Sequence, residues 1–129
     1  MSLANDSLLA NLALQGFAVT DNQAAQNTAQ ATGTSIVGDL FRVTTAVNNG
    51  ACVLKSSISN EASPLVFVVN DSASTIKVYP AVGESMGGTT NASLSIPSGQ
   101  SGIFVRVPPQ VQRGGGGGGN GDWRNAVIP

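Results

Sequence analysis

The amino-acid sequence predicts a small all-β protein: an antiparallel β-sandwich, with the jelly roll as one form of it, preceded by a short N-terminal helix or arm. Roughly six or seven β-type segments follow one another at spacings of about 10–15 residues. Turn-forming Gly, Pro, Asn, Asp and Ser residues separate these segments. The length of 129 residues suits one domain that buries its own core.

Residues 1–20 are assigned to the helix or arm. The pattern over residues 6–15 predicts the helix, because Asp6 or Ser7 can cap it and Leu8 and Leu12 fall on one face. A helix of this length is marginal alone. Two interpretations therefore stay open: the helix packs on its own domain, or the segment docks on a neighbouring subunit.

Residues 21–129 are assigned to the β-sandwich. Residues 21–35 are polar and predict an extended loop or a weak edge strand. Residues 41–47 alternate and are β-branched, and residues 52–55 resume a strand pattern. Asn48-Asn49-Gly50 between them is typical of the tight turn of a β-hairpin.

The second half of the chain continues this rhythm. Residues 65–69 are continuously apolar, which predicts a central strand covered on both faces. Residues 75–79 alternate, and Pro80 is expected to end that strand because it lacks a backbone donor. A turn at residues 97–100, with proline in second position, separates two further strands.

A glycine-rich loop at residues 113–121 precedes the last β-type segment. Such a run can serve as a flexible tether or as a long surface loop, and the surface loop is the favoured interpretation. Trp123 starts the last segment. Its large side chain suits either the core or an interface anchor. We include Trp123 with Leu8, Leu9 and Leu12 as hypothetical interface residues.

Composition narrows the classes of function. Charged residues make up 10% of the chain, and the net charge is −1. The six Lys and Arg residues are scattered, so no nucleic-acid partner is expected. The longest apolar run, residues 65–69, is far shorter than the roughly 20 residues that span a bilayer, so no membrane partner is expected.

The residues that carry catalysis are sparse. The chain has no histidine, which removes Ser-His-Asp and Cys-His catalysis and histidine-ligated metals. Cys52 lies in an apolar strand, where a buried, inert thiol is the usual case. The seven carboxylates show neither a paired arrangement nor a calcium-loop spacing. We therefore expect no enzyme activity, no cofactor and no metal site.

Five motifs in order resemble small β-rich virion proteins of tailed phages. They stand at residues 41–47, 66–71, 76–84, 91–99 and 121–123. The resemblance covers about residues 30–125, and its motifs consist of strand and turn chemistry. The glycine run before Trp123 departs from the pattern of these proteins.

The resemblance implies a capsid decoration or cement protein. Such a protein would bind the outer surface of the major capsid protein lattice as a homo-oligomer. It would be made in the host cytoplasm and end on the virion exterior. The alternative is a head fibre, a tail accessory or a receptor-binding module of the virion. An enzyme or a carbohydrate-binding module is the third class.

Overall fold

The computed structural model describes residues 18–57, 63–107 and 121–129. Within these ranges the chain forms eleven strands, one short 3-10 helix (Gln30–Thr32) and no α-helix, which confirms the all-β class. The predicted helix at residues 6–15 and nearly all of the glycine-rich loop lie outside the described residues. The strands are β1 (Val19–Ala25), β2 (Thr34–Ser35), β3 (Leu40–Ala46), β4 (Gly50–Val53), β5 (Leu65–Asn70), β6 (Ile76–Tyr79), β7 (Ser85–Met86), β8 (Thr89–Thr90), β9 (Leu94–Ile96), β10 (Ser101–Val107) and β11 (Asp122–Ile128).

The strands form two sheets, and both sheets mix parallel and antiparallel pairs. Sheet A has the order β1-β3-β5-β10-β11-β7-β8, and sheet B has the order β2-β4-β6-β9. Parallel pairs join β1 to β3, β3 to β5 and β7 to β11 in sheet A, and β2 to β4 and β4 to β6 in sheet B. The expectation of purely antiparallel pairing was therefore wrong, and the connections explain why.

The connections cross from one sheet to the other. In β1–β2, β3–β4 and β5–β6 the first strand lies in sheet A and the second in sheet B. We call each such pair a rung; rungs 1 to 3 stack in parallel. Rung 4, β9–β10, runs the opposite way, with β9 antiparallel to β6 and β10 antiparallel to β5. A parallel neighbour normally needs a crossover, and here the sheet B strand provides it.

Equivalent positions of rungs 1 to 3 are unequally spaced in sequence. Val19 pairs with Leu40, and Leu40 pairs with Phe67. The chain between Leu40 and Phe67 is longer than the chain between Val19 and Leu40. This explains why a structural repeat exists here without a sequence repeat of fixed period.

Asn48-Asn49-Gly50 forms a tight turn, as predicted, but not a hairpin. Asn49 has a φ of 59°, and the Gly50 N–H donates to the Val47 carbonyl over 2.9 Å. The turn joins β3 in sheet A to β4 in sheet B, so the two strands do not pair. A Cβ at Gly50 would lie 2.2 Å from the Ala25 carbonyl oxygen, so the close approach of rung 1 requires glycine.

The buried Asn70 joins the turns of rungs 3 and 4. Its side-chain amide donates to the carbonyls of Ser74 and Ile96, each over 2.8 Å. Its Oδ1 accepts from the N–H and the hydroxyl of Ser72, over 3.1 and 2.6 Å. These bonds engage both amide hydrogens and the carbonyl oxygen, as a fully buried amide requires.

Both sheets contribute to one hydrophobic core. Its members include Phe41, Val43, Val66, Val68, Phe104 and Trp123 from sheet A, and Cys52, Ile76, Val78 and Ile96 from sheet B. The strand at residues 65–69 is central in sheet A, between β3 and β10, as predicted. Its inward side chains are buried, whereas its outward side chains keep partial exposure.

Several other sequence predictions are confirmed. The polar segment at residues 21–35 begins in β1, which is an edge strand of sheet A. Strand β6 ends at Tyr79, directly before Pro80. The turn at residues 97–100 is present and is closed by a bond from the Gln100 N–H to the Pro97 carbonyl, but Pro97 is therefore its first residue and not its second, as was expected. Strand β11 contains the predicted last segment.

Candidate functional site

Only one predicted interface residue, Trp123, lies within the described part of the chain. Leu8, Leu9 and Leu12 lie outside it. Trp123 is 1% exposed and belongs to the hydrophobic core. Of the two roles that the sequence left open for Trp123, this structure places the side chain in the core.

The face of sheet A that points away from the core is apolar at its centre, and we call it the outer face. Strand pairing places Leu40 beside Phe67, Phe67 beside Ile103, and Ile103 beside Ala126. These four residues form one row across β3, β5, β10 and β11, and none belongs to the core cluster. Sheet A therefore presents apolar side chains on both of its faces.

Exposure divides the outer face into two halves. On β10 and β11, Val105 and Ile128 are each 45% exposed, and Ala126 is exposed as well. We call these strands' side of the outer face the β10–β11 half. On the β3–β5 half, by contrast, Leu40 is only 4% exposed. Within the outer face, the most exposed apolar side chains therefore lie on the β10–β11 half.

Charges beside the β3–β5 half are paired with one another. Arg42 donates through Nε to Asp71 over 2.6 Å and through a terminal nitrogen to Asp21 over 2.8 Å. The hydrogen bond from Arg42 lowers the pKa of Asp21 below its ordinary value. Because both carboxylates share one guanidinium, they tie β1 and the turn after β5 to β3.

A second set of paired charges flanks the β10–β11 half. Asp122 accepts hydrogen bonds from the Ser85 hydroxyl, the Gly88 N–H and Arg124 Nε, over 2.7, 3.1 and 2.9 Å. Although burial opposes ionisation, the bonds from Ser85 and Gly88 hold the pKa of Asp122 below its ordinary value. Asp122 thereby fastens the β7–β8 turn to β11.

Glu84 is a buried carboxylate that the sequence placed in a loop without a role. It is 6% exposed and accepts hydrogen bonds from the Ser56 hydroxyl and from the Ser57 N–H. Gly121 lies directly beside Ser57, so close that a Cβ at Gly121 would stand 1.4 Å from Ser57 Oγ. These partners are far from Glu84 in sequence, so the motif at residues 76–84, which ends at Glu84, did not predict these contacts. Glu84 thereby holds the segment at Ser56 and Ser57 against the start of β7, and we call this set of contacts the Glu84 clamp.

Two observations concern metal ligands and thiol chemistry within the described residues. Among them, no group of three or more His, Cys, Asp or Glu side chains could hold a metal ion. Cys52 is fully buried, and burial raises the pKa of its thiol to about 12, so the thiol stays protonated at neutral pH. No helix within the described ranges is long and apolar enough to cross a membrane.

The chain was compared with protein-family models, with curated proteins and with solved structures, and none of the three comparisons gave a match. A functional inference must then start from the structure, and the outer face of sheet A, with its exposed apolar side chains, is the feature on which it can rest. Sequence reasoning missed it, although the signal was present. In β10, Ile103 and Val105 alternate with Gly102 and Phe104, so residues 102–105 include no polar side chain on either face.

Proposed function

We propose that this chain is a structural virion protein that binds the outer surface of a tailed-phage capsid as a homo-oligomeric decoration or cement protein. The observation that carries the proposal is the open β10–β11 half of the outer face. Val105, Ala126 and Ile128 there stand exposed on a sheet whose other side is core. Contiguous apolar surface of this kind, flanked by polar groups, is typical of protein contacts.

The edges of the sheets are less suited to assembly than this face. The edge strand β1 has irregular register with β3, and Asn22 within it has a φ of 55°. The opposite edge of sheet A, β8, and one edge of sheet B, β2, are two residues long. Irregular and very short edge strands resist the addition of further strands. Contact through a face is therefore the favoured mode.

The resemblance to tailed-phage virion proteins supports the location. Its motif at residues 66–71 covers β5 and the start of the following turn, and the motif at residues 91–99 covers β9 and part of its turn. Asn70 of the first motif links two turns, and Asp71 pairs with Arg42. These two motifs thus consist of residues that build the stacked rungs.

The proposed architecture is a sandwich whose layers are sheets A and B. Both sheets supply side chains to one core, which favours two facing layers. Jelly rolls consist of antiparallel strands, so the parallel pairs within rungs 1 to 3 favour a different connectivity. Two sheets around one core suit a shell component that gains avidity from repeated, individually modest contacts.

The test combines location with surface variants. Mass spectrometry and a cryo-EM map of the purified virion would give the protein's position and copy number. The expected result is a symmetric oligomer on the capsid exterior. In co-sedimentation with purified empty capsids, Val105→Asp and Ile128→Asp should each weaken binding at least tenfold, because a desolvated charge opposes burial.

The matched control is Ser95→Asp, an exposed position on β9 of sheet B, which should bind like the parent chain. A monomeric parent chain that does not bind capsids would overturn the proposal. Location at a fibre or tail, with binding to host cells or glycans, would support the alternative virion role instead.

A further inference from the structure

The burial of Leu40 is not explained by the sheet that carries it. Leu40 is 4% exposed, yet it lies outside the core cluster and in the outer-face row. Its neighbours within the sheet are Val19 and Phe67. Side chains stand roughly perpendicular to a sheet, so neighbours in the same row shield only the flanks of a side chain. Covering atoms must therefore lie above the β3–β5 half.

The chain before β1 reaches this surface directly. The Ala18 N–H donates to Asp39 Oδ2 over 2.8 Å. The Ala18 carbonyl accepts from the N–H groups of Asp39 and Leu40, over 2.7 and 3.1 Å. These bonds hold Ala18 beside the start of β3. Whatever precedes Ala18 therefore leaves the fold next to the covered end of the row.

From these observations we infer that residues 1–17 dock on the β3–β5 half of the outer face of their own chain, with Leu8, Leu9 and Leu12 as the contacting side chains. The size is suitable. The predicted helix at residues 6–15 would be about 15 Å long. Strands lie about 4.8 Å apart, so β1 to β5, on the side of the sheet that carries the β3–β5 half, spans about 10 Å.

The chemistry of the segment matches the surface. Residues 1–17 contain five leucines and one charged side chain, Asp6. A helix of about ten residues is marginal in water and needs an apolar surface to stabilise it. The β3–β5 half offers Leu40, Leu65 and Val69 for this purpose. Docking would thus cover the apolar side chains of the β3–β5 half and give the short helix the apolar surface that it needs.

The covalent connection between residues 1–17 and β1 favours docking on the same chain over docking on a second copy. A short flexible connection gives the segment an effective concentration in the millimolar range at its own face. A second copy in dilute solution cannot match that concentration. This arrangement leaves the β10–β11 half open, and it holds whether or not the proposed capsid role is correct.

Cysteine cross-linking of the full chain tests the inference. A Leu12→Cys, Leu65→Cys variant would be treated with a short bifunctional maleimide at low protein concentration. The native Cys52 is buried and its thiol protonated, so it does not compete. The expected product is an intrachain link, with the two peptides joined in a monomeric species by mass mapping.

The matched control pairs Leu12→Cys with Ser95→Cys, on sheet B, and should give no intrachain link. Links formed only between chains would overturn the inference, as would a yield no higher than the control. If Leu65→Cys prevents folding, Val69→Cys takes its place. Capsid binding by the linked monomer is a separate measurement, so failure of the capsid role and failure of the docking remain distinguishable.

A second readout uses a hydrophobic dye. Replacing Leu8 and Leu12 with serine should uncover the β3–β5 half and raise dye fluorescence severalfold, while the circular dichroism of the β-domain stays the same. Unchanged fluorescence in a folded variant would contradict the docking. The control, Val105→Ser, lies on the open half and should lower the signal.

Discussion

The side-chain amide of Asn70 donates a hydrogen bond to the main-chain carbonyl of Ile96, 2.8 Å away, and both residues are fully buried. This bond links rung 3 to rung 4, at the place where the direction of the chain reverses. The Gly99 N–H donates to the Asn70 carbonyl, and the Asn70 N–H donates to the Gln100 carbonyl. One residue thereby joins a parallel stack to an antiparallel neighbour.

Replacing Asn70 with alanine should lower the free energy of unfolding by about 2–4 kcal/mol, because it removes the amide group that donates to the buried Ile96 carbonyl and the amide oxygen that accepts from Ser72. Urea unfolding would measure the change. Asn125→Ala, at an exposed position on β11, is the control and should stay within about 0.5 kcal/mol. Equal stabilities for the two variants would refute the linking role of Asn70.

The thiol of Cys52 should destabilise the protein at high pH. Burial raises its pKa from 9.0 to about 12, so above pH 9 the unfolded chain releases a proton that the native chain retains. The free energy of unfolding therefore keeps its full value below pH 9 and falls by about 1.4 kcal/mol per pH unit as the pH rises from 9 toward 12. Cys52→Ala should show a shallower decline over the same range in denaturant melts.

The native thiol should also resist modification. At pH 8 an aromatic disulfide reagent should label Cys52 only after the chain unfolds in urea, since the thiolate is the reacting form. Rapid labelling of the folded protein would contradict the burial of Cys52.

Asp122 should contribute stability that acid removes. Its pKa lies below the ordinary value of 3.8, so the contribution is present above that pH and is lost as the pH falls through the native pKa. Asp122→Asn should lower the melting temperature at pH 7 and leave a smaller further loss below pH 4. Arg124→Ala keeps the bonds from Ser85 and Gly88, so its effect at pH 7 should be smaller.

Ser57 and Gly121 form a close contact whose two sides should respond differently. Ser57 Oγ is buried without a hydrogen-bond partner, so Ser57→Ala should leave stability unchanged or raise it by up to about 1 kcal/mol. Gly121→Ala should instead cost about 2 kcal/mol or more, because its Cβ would overlap Ser57. Thermal melts of both variants would check this pair, and a neutral Gly121→Ala would contradict the packing.

Part of the candidate site could have been read from the strands alone. The continuous apolar run at residues 65–69 indicated a strand with two apolar faces, and β10 repeats that pattern at Ile103 and Val105. The clamp at Glu84 could not be read in this way. Its partners Ser56 and Ser57 come from a segment close to it only after folding.

Alternation, β-branched residues and turn chemistry are local properties, and the sequence by itself determined the all-β class, most strand positions and the turn at Asn48-Asn49-Gly50. It also determined that residues 65–69 would be central. Only the tertiary structure decided which strands pair. Asn49 and Gly50 permit a tight turn in either setting, but the Ala25 carbonyl packed against Gly50 and the bond from Asn70 to Ile96 arise only when rungs stack. Such contacts between distant residues select stacked rungs over hairpins, and they leave the β10–β11 half of the outer face of sheet A apolar and exposed.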